Sequence, residues 1–221
     1  MKVKVIIPAS GSGIRFGGNT PKQFLKSDGK EIIVRTIEKF NGNKSVNEII
    51  ISTKLEYFEK ISSLVSRYKL TKVKKIVQGG NLRQDSVYSA LINSGADDED
   101  IILVHDAVRP FITSKKITEI INEARKENCV IPGLPVSETL KLVGKNNFVD
   151  KTIDRNSLYS IQTPQAFRYK ILIRSFEKAY RDNFIGTDES SLAENAGYKV
   201  KVIQGERNNI KITVKEDLKL K

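Results

Sequence analysis

The sequence predicts an α/β fold built around a doubly wound, mixed but mostly parallel β-sheet. Short apolar runs of strand length alternate with longer stretches whose apolar residues recur at helical spacing, and a glycine-rich segment directly follows the first run. Alternating strands and helices are typical of βαβ units, in which helices cover both faces of a parallel sheet.

The first half of the chain supplies five strands and four helices. The predicted strands span residues 3–7, 48–52, 73–77, 101–105 and 129–132, and the predicted helices span residues 32–40, 57–68, 83–93 and 117–126. Because a membrane span needs about 20 apolar residues and these runs are far shorter, we expect no membrane segment and no membrane partner.

The pattern changes after Pro135. Two short strands at 139–143 and 148–153, joined by a turn at 144–147, predict a hairpin arm of about 136–160 that projects from the sheet. The remaining predicted elements are helices at 169–181 and 189–195 and strands at 199–203 and 210–214. Because no repeat or linker interrupts the pattern, residues 1–221 are expected to form a single domain.

Charge and cysteine content narrow the function classes. The chain has 38 Lys and Arg against 26 Asp and Glu, a net charge of +12, which raises nucleic-acid binding as one interpretation. The charges are scattered, aromatic residues make up only 7%, and no nucleic-acid-binding signature is present, so no such partner is expected. A lysine-rich solvated surface and a site for small anions both remain open as explanations of this charge.

With Cys129 as the only cysteine and no recognisable secretory signal, we expect a cytoplasmic protein without disulfides.

The first candidate for chemistry is the segment PASGSGIRFGGNTPKQFL at residues 8–25. Its glycines allow tight turns that bring backbone N–H groups close to an anion, and Arg15 and Lys22 could place positive charge on the same polyphosphate. An ordinary flexible loop is the alternative. A Walker A loop is excluded because Asn19 follows the last glycine, and the dinucleotide fingerprint fails because Phe16 replaces its third glycine.

The second candidate is the segment VHDAVRPF, which ends the fourth predicted strand and carries His105, Asp106 and Arg109. Ligands of open α/β sheets bind at the carboxyl ends of the strands. Asp106 suits a ribose or a magnesium ion, which one carboxylate and substrate phosphates can hold, whereas a helix cap or an ion pair with Arg109 is the alternative. His105 is the only histidine, so it is expected to be structural rather than a zinc ligand or a triad member.

Seven segments occur together in an order that resembles the 2-C-methyl-D-erythritol 4-phosphate cytidylyltransferase family. They are PASGSGIRFGGNTPKQFL, GGNLRQDSV, VHDAVRP, SETLK, TIDRNSLYSIQTPQAF, GTDESSLAE and NNIKIT, and they span residues 8–213. The resemblance implies a Rossmann-like sheet, a β-hairpin arm used in dimerisation, and a homodimer. It also implies transfer of CMP from CTP to 2-C-methyl-D-erythritol 4-phosphate, with release of pyrophosphate, in the non-mevalonate isoprenoid pathway.

The resemblance assigns residues to three groups. The CTP-binding residues it implies are Pro8, Ala9, Ser10, Gly11, Gly13, Gly79, Gly80, Arg83, Ser86, Asp106 and Ala107. The substrate-binding residues are Asp106, Arg109, Thr139, Arg155, Thr163, Thr187 and Lys211. The catalytic residues are Arg15, Lys22, Arg155 and Lys211, with Arg155 reaching the site of the neighbouring subunit.

The implied cofactor is Mg²⁺, held mainly by the CTP phosphates with Asp106 as a protein ligand. Ser10 departs from the family pattern, because many members carry alanine there; a small hydroxyl can face phosphate or water. On sequence alone, Arg155 could instead form a surface ion pair with Asp154.

Two other functions remain open on the sequence. A ribitol 5-phosphate cytidylyltransferase would share the glycine-rich loop, VHDAVRP and NIKIT, and would differ in the acceptor region. A non-catalytic nucleotide-binding or RNA-binding protein belongs to another class, and salt-dependent RNA binding would favour it.

Overall fold

The computed structural model describes residues 1–11, 20–214 and 216–217. The strands are β1 Val3–Pro8, β2 Lys26–Ser27, β3 Lys30–Glu31, β4 Glu48–Thr53, β5 Val73–Gln78, β6 Ile101–Val104, β7 Cys129–Pro135, β8 Leu140–Val143, β9 Val149–Ile153, β10 Tyr159–Ile161, β11 Gln165–Arg168 and β12 Lys201–Gln204. The helices are α1 Ile32–Asn41, α2 Phe58–Arg67, α3 Arg83–Ile92, α4 Ser114–Lys126, α5 Tyr169–Arg181 and α6 Glu189–Asn195.

Eight of these strands form the central sheet, in the order β10-β7-β11-β6-β1-β4-β5, with β12 also paired to β7. The four strands from β6 to β5 run parallel, as do β7 and β12. Strands β10 and β11 are antiparallel to their neighbours. The predicted mixed, mostly parallel sheet is therefore confirmed.

Apolar side chains alternate across this sheet, so each face packs against its own set of helices. Val5 and Ile7 of β1 belong to a buried cluster with residues of α1, α2 and α4, whereas Ile6 joins a second cluster with residues of α3, α5 and α6. Because successive strand residues point to opposite faces, the apolar run at residues 5–7 of β1 is buried on both sides. This two-sided packing is the doubly wound arrangement that the sequence predicts.

Strand β1 lies at the point where the strand order reverses. The chain moves from β1 outward to β4 and β5, then returns to place β6 on the other side of β1. Ligand sites in open α/β sheets form at such a switch point, outside the carboxyl ends of the strands. The loops that follow β1, β4, β5 and β6 therefore converge on one edge of the sheet.

Strand β11 was not predicted. It is only four residues long and inserts antiparallel between β6 and β7, where Ala166 pairs with Leu103 on one side and Val130 on the other. So short a strand carries little periodic signal, and its pairing partners lie far away in the sequence. The insertion places the preceding residue pair, Thr163 and Pro164, beside the end of β6.

The predicted strand at 210–214 is wrong. Its alternating apolar residues suggested a ladder, but the backbone N–H of Ile212 donates to the carbonyl of Val108 at 2.9 Å instead. The N–H groups of Thr213 and Val214 both donate to the carboxylate of Asp217, at 2.7 and 3.0 Å. These bonds satisfy the backbone N–H groups outside the sheet, so the segment lies beside the turn after β6 without joining a strand.

The predicted arm is present as a hairpin of β8 and β9, which pair only with each other among the described residues. Several of its apolar side chains are exposed, including Phe148 at 76% and Val149 at 56%. None of the helices in the described part of the chain is long and apolar enough to cross a membrane.

Candidate active site

A cavity of about 680 Å³ lies at the carboxyl ends of β1, β4, β5 and β6, and it is called the central cavity below. Most of the residues that the sequence assigns to nucleotide binding or catalysis line it: Pro8, Ala9, Ser10, Gly11, Lys22, Gly79, Gly80, Arg83, Ser86, Asp106, Ala107 and Lys211. These residues come from four separate segments of the chain. The fold therefore assembles one site from motifs that are distant in sequence.

The loop after β1 is held by a buried glutamine that the sequence analysis missed. The side-chain amide of Gln23 donates to the carbonyl of Ala9 at 2.9 Å and to that of Gly11 at 3.0 Å. The N–H of Ala9 donates to the carbonyl of Ser52 in β4 at 2.7 Å. These bonds fix the start of the glycine-rich loop at the carboxyl end of β1. Gly13 and Arg15, which were assigned to CTP binding and catalysis, lie outside the described residues.

Gly79 has no room for a side chain. A Cβ atom there would lie 2.0 Å from Oγ of Ser10 and 2.8 Å from Oγ of Ser86, and the two hydroxyl oxygens are themselves 3.1 Å apart. The backbone at the end of β5 therefore packs directly onto a pair of hydroxyls in the central cavity. Ser10, the residue that departs from the expected alanine, is one member of this pair.

Three cations converge on the carboxylate of Asp106, which lines the cavity. Its carboxylate lies 3.4 Å from Nε of Arg83, 3.3 Å from Nε of Arg109 and 3.1 Å from Nζ of Lys211. Burial would raise the pKa of Asp106, but these cations outweigh burial and hold the pKa well below its usual range. The carboxylate is therefore ionised at neutral pH. Arg83 also pairs with Glu189, so three cations face two carboxylates, and the remaining positive charge suits an anionic ligand.

His105 is fully buried and structural, as expected, and its two ring nitrogens have defined partners. Nε2 lies 3.0 Å from the carbonyl oxygen of Arg109, which can only accept, so Nε2 carries the proton. Nδ1 then accepts from the hydroxyl of Thr163 at 3.1 Å, and that hydroxyl oxygen accepts the N–H of Asp106 at 3.1 Å. Burial lowers the pKa of His105 to about 4, so the imidazole is neutral. This chain of bonds fixes the turn that carries Asp106.

Asn209 attaches the segment that carries Lys211 to the same turn. Its side-chain amide donates to the carbonyl of Thr163 at 2.8 Å, and its own carbonyl accepts from Arg109 at 2.8 Å. Asn209 is fully buried. Lys211 therefore approaches Asp106 because its backbone is anchored two residues earlier.

The remaining acceptor residues do not line the central cavity within the described chain. Arg109 and Thr163 contact Asp106 but do not themselves line the cavity. Thr139 and Thr187 are exposed. Arg155 lies exposed beside the arm, where it donates to the carbonyl of Ser137; the ion pair with Asp154 that the sequence left open is not formed.

The donor set fits a magnesium ion only if the nucleotide supplies most of its ligands. Asp106 is the sole carboxylate among the described residues that line the cavity, and no cluster of three or more metal-binding side chains exists in the described part of the chain. Mg²⁺ prefers oxygen ligands and commonly takes one or two carboxylates together with phosphates. One ionised carboxylate beside the loop after β1 fits that mode.

Known proteins resemble this chain over nearly its whole length. The sequence profile described as 2-C-methyl-D-erythritol 4-phosphate cytidylyltransferase matches residues 3–221. A protein of that name from Clostridioides difficile is 41% identical over 219 residues, which cover 98% of this chain and 90% of the relative. The chain belongs to this family.

Two solved structures extend the likeness to the fold. The 2-C-methyl-D-erythritol 4-phosphate cytidylyltransferase of Francisella tularensis superposes with a TM-score of 0.85 at 32% identity and covers 99% of this chain and 97% of that one. The 4-diphosphocytidyl-2C-methyl-D-erythritol synthase of Anaerococcus prevotii gives a TM-score of 0.83 at 31% identity, covering 98% and 92%. Family membership makes this chain a cytidylyltransferase, and the expected enzyme class is confirmed.

Several cavity or near-cavity residues were missed by the sequence analysis, and three of them make informative contacts or add charge. Gln23 holds the β1 loop, Lys54 lines the cavity after β4, and Glu189 binds Arg83 with both carboxylate oxygens, at 2.7 and 3.0 Å. Gln23 and Glu189 lie within segments that were recognised as family motifs. Glu189 binds Arg83 across 106 residues, and no sequence pattern indicates that the Gln23 side chain binds the carbonyls of Ala9 and Gly11.

We expect Gly79→Ala to weaken CTP binding by about tenfold or more, because a forced contact in a packed site costs roughly 1–3 kcal/mol. Isothermal titration with CTP measures the change. In Gly79→Ala/Ser10→Ala the nearest clashing atom is removed, so part of the affinity should return. Gly42→Ala is the matched control, since a Cβ there meets only one carbonyl oxygen at 3.4 Å. Equal CTP affinity in Gly79→Ala and wild type would contradict the packing argument.

His105 should make folding sensitive to acid. Its pKa is about 4 in the folded chain against about 6.5 when unfolded, so its contribution is complete above pH 6.5 and is lost as the pH falls towards 4. The total loss is about 3 kcal/mol of unfolding free energy. Since the chain has a single histidine, one imidazole NMR resonance reports it directly. Titration of that resonance near pH 6.5 would disprove the neutral, buried assignment. Urea unfolding of His105→Asn at pH 7 and 5 should show a correspondingly smaller loss than wild type.

Proposed function

We propose that this enzyme transfers CMP from CTP to 2-C-methyl-D-erythritol 4-phosphate, forming 4-diphosphocytidyl-2-C-methyl-D-erythritol and pyrophosphate for isoprenoid synthesis by the non-mevalonate route. The observation that carries the proposal is the central cavity, in which Arg83, Arg109 and Lys211 converge on an ionised Asp106 and Lys22 lines the wall beside the loop after β1. Phosphate transfer needs positioned positive charge more than a protein nucleophile, and this cavity supplies that charge.

In the proposed step, a phosphate oxygen of the acceptor attacks the α-phosphorus of CTP. A new P–O bond forms there while the bond to the bridging oxygen of the β-phosphate breaks, and pyrophosphate leaves with the electron pair. Lys22 and Lys211 stabilise the negative charge that develops on the phosphoryl oxygens, and Arg15 is assigned the same role by its place in the glycine-rich segment. The resemblance assigns Gly79, Gly80, Arg83 and Ser86 to recognition of the cytosine base.

The cofactor in this proposal is Mg²⁺. It would supply further charge neutralisation at the CTP phosphates, with Asp106 as its protein ligand. The cations on Asp106 keep this carboxylate ionised, which a metal ligand requires.

We also propose that the enzyme is a homodimer formed through the arm. An isolated two-stranded hairpin is marginal in water, and the exposed Phe148 and Val149 on β8–β9 make an apolar surface of the kind that interfaces cover. In the dimer, Arg155 would reach the acceptor site of the partner subunit and act with Thr139, Thr163 and Thr187 on the acceptor phosphate. A cytoplasmic location belongs to the same proposal, and the free thiol of Cys129 suits a reducing compartment.

The acceptor is tested by pyrophosphate release from CTP and Mg²⁺, with 2-C-methyl-D-erythritol 4-phosphate and D-ribitol 5-phosphate compared under identical conditions. We expect a preference of at least about a hundredfold in kcat/KM for the former, since a site built for one pattern of hydroxyls leaves polar groups unpaired with another. Lys211→Gln is the matched inactive variant. Preference for ribitol phosphate would overturn the acceptor assignment and leave the CTP site intact. Release with neither acceptor would overturn the reaction.

The shared site is tested by subunit mixing. Arg155→Gln and Lys211→Gln should each be nearly inactive as homodimers. If Arg155 acts across the interface, co-refolded hybrids contain one site with both defects and one intact site. Since half of a random mixture is hybrid, activity should recover to roughly a quarter of wild type. No recovery, with hybrid formation verified by differently tagged subunits, would contradict the shared site.

A further inference from the structure

Glu189 is a buried carboxylate just outside the central cavity. It is the first residue of α6 and is only 1% exposed. Both of its oxygens accept from Arg83, from Nη1 at 2.7 Å and from Nη2 at 3.0 Å. Burial raises the pKa of Glu189, and the charge of Arg83 opposes that rise. A paired arginine is the partner that allows a carboxylate to remain ionised in such a place.

Arg83 directs a third donor, its Nε–H, at Asp106. Its Nε lies 3.4 Å from the Asp106 carboxylate, so the planar guanidinium is held at two separate edges by two acids. An arginine side chain has several rotatable bonds and loses its orientation readily, unless fixed donors and acceptors define the plane. Arg83 lines the cavity and Glu189 does not. Glu189 therefore makes its hydrogen-bonded contact with the cavity through Arg83.

The first turn of α3 holds the α6 side of the site through a second residue. The side chain of Gln84 accepts the N–H of Gly186 at 3.0 Å and donates to the carbonyl of Phe184 at 3.2 Å. Together, Arg83 and Gln84 bind both ends of the segment that contains Thr187. The nucleotide side and the assigned acceptor side of the site are thus joined at one helical turn.

Stability alone does not explain the pair. Replacing a buried ion pair by well-packed apolar residues is often neutral or stabilising, because both charges lose their hydration. Apolar side chains in place of this pair would have apolar neighbours to pack against, because Leu192 on the same helix as Glu189 belongs to the core. What the charged pair adds is a fixed direction for the guanidinium next to the phosphate-binding residues.

We propose that Glu189 is a positioning residue, which holds the guanidinium of Arg83 against Asp106 and so fixes where the positive charge of Arg83 lies relative to the nucleotide. This inference rests on the proposed cytidylyltransfer. It assigns to a residue outside the cavity a measurable part of CTP recognition.

The test uses Glu189→Gln, Arg83→Gln and the double variant, with KM for CTP, KM for the acceptor, kcat and thermal midpoint measured for each. Glu189→Gln keeps the size of the side chain and removes its charge. We expect its KM for CTP to rise about tenfold, since small displacements of a binding group have effects of this order or larger. The KM for CTP of the double variant should match that of Arg83→Gln within about twofold, because Glu189 has no guanidinium to position once Arg83 is replaced.

Glu48→Gln is the matched control. It removes a carboxylate that pairs with Lys4 at 3.1 Å, at the start of β4 and away from the central cavity. Its KM and kcat should equal those of wild type.

An unchanged KM for CTP in Glu189→Gln, or independent effects that multiply in the double variant, would overturn the proposal. If Glu189→Gln fails to fold, the comparison of Arg83→Gln with the double variant still decides between these outcomes. Inactivity of wild type and Glu48→Gln alike would instead refute the proposed function.

Discussion

The site depends on placing one ionised carboxylate, Asp106, where three cations converge on it. An isolated buried acid would become protonated, because burial disfavours its charged form. Arg83, Arg109 and Lys211 prevent this: Arg109 lies in the same turn as Asp106, and Arg83 and Lys211 come from distant parts of the chain. The carboxylate also keeps these cations close together despite their mutual repulsion. Like charges held near one another in a partly buried site form a strong anion-binding field.

This geometry in turn requires a rigid turn after β6. The neutral imidazole of His105 can link Thr163 to the Arg109 carbonyl because one ring nitrogen donates and the other accepts. Thr163 reaches the turn because β11 inserts beside β6. The antiparallel insertion is therefore part of the site's construction. It brings residues from the far side of the arm to the edge where β1 and β6 end.

Local features of this protein could be predicted from its sequence, and long-range contacts could not. The buried strands, the covering helices and the arm each have a periodic pattern within a short window, and the glycine-rich loop and Asp106 belong to contiguous motifs. Strand β11 has too few residues for such a pattern. The segment at 210–214 has the pattern but finds its hydrogen-bond partners in Val108 and Asp217. Glu189 and Arg83 are 106 residues apart, and only the folded chain brings them together.

The site also shows why charge counts along a sequence say little about function. A net charge of +12 suggests a generally basic surface, yet the positive charge that matters here comes from a few side chains fixed by buried acids. Most surface lysines are screened within about 10 Å at moderate salt. Lys211 and Arg83 are screened less, because they lie in a concave site beside buried carboxylates. Burying Asp106 and Glu189 costs hydration, and the arrangement persists because each acid orients a cation that solvent alone would leave mobile.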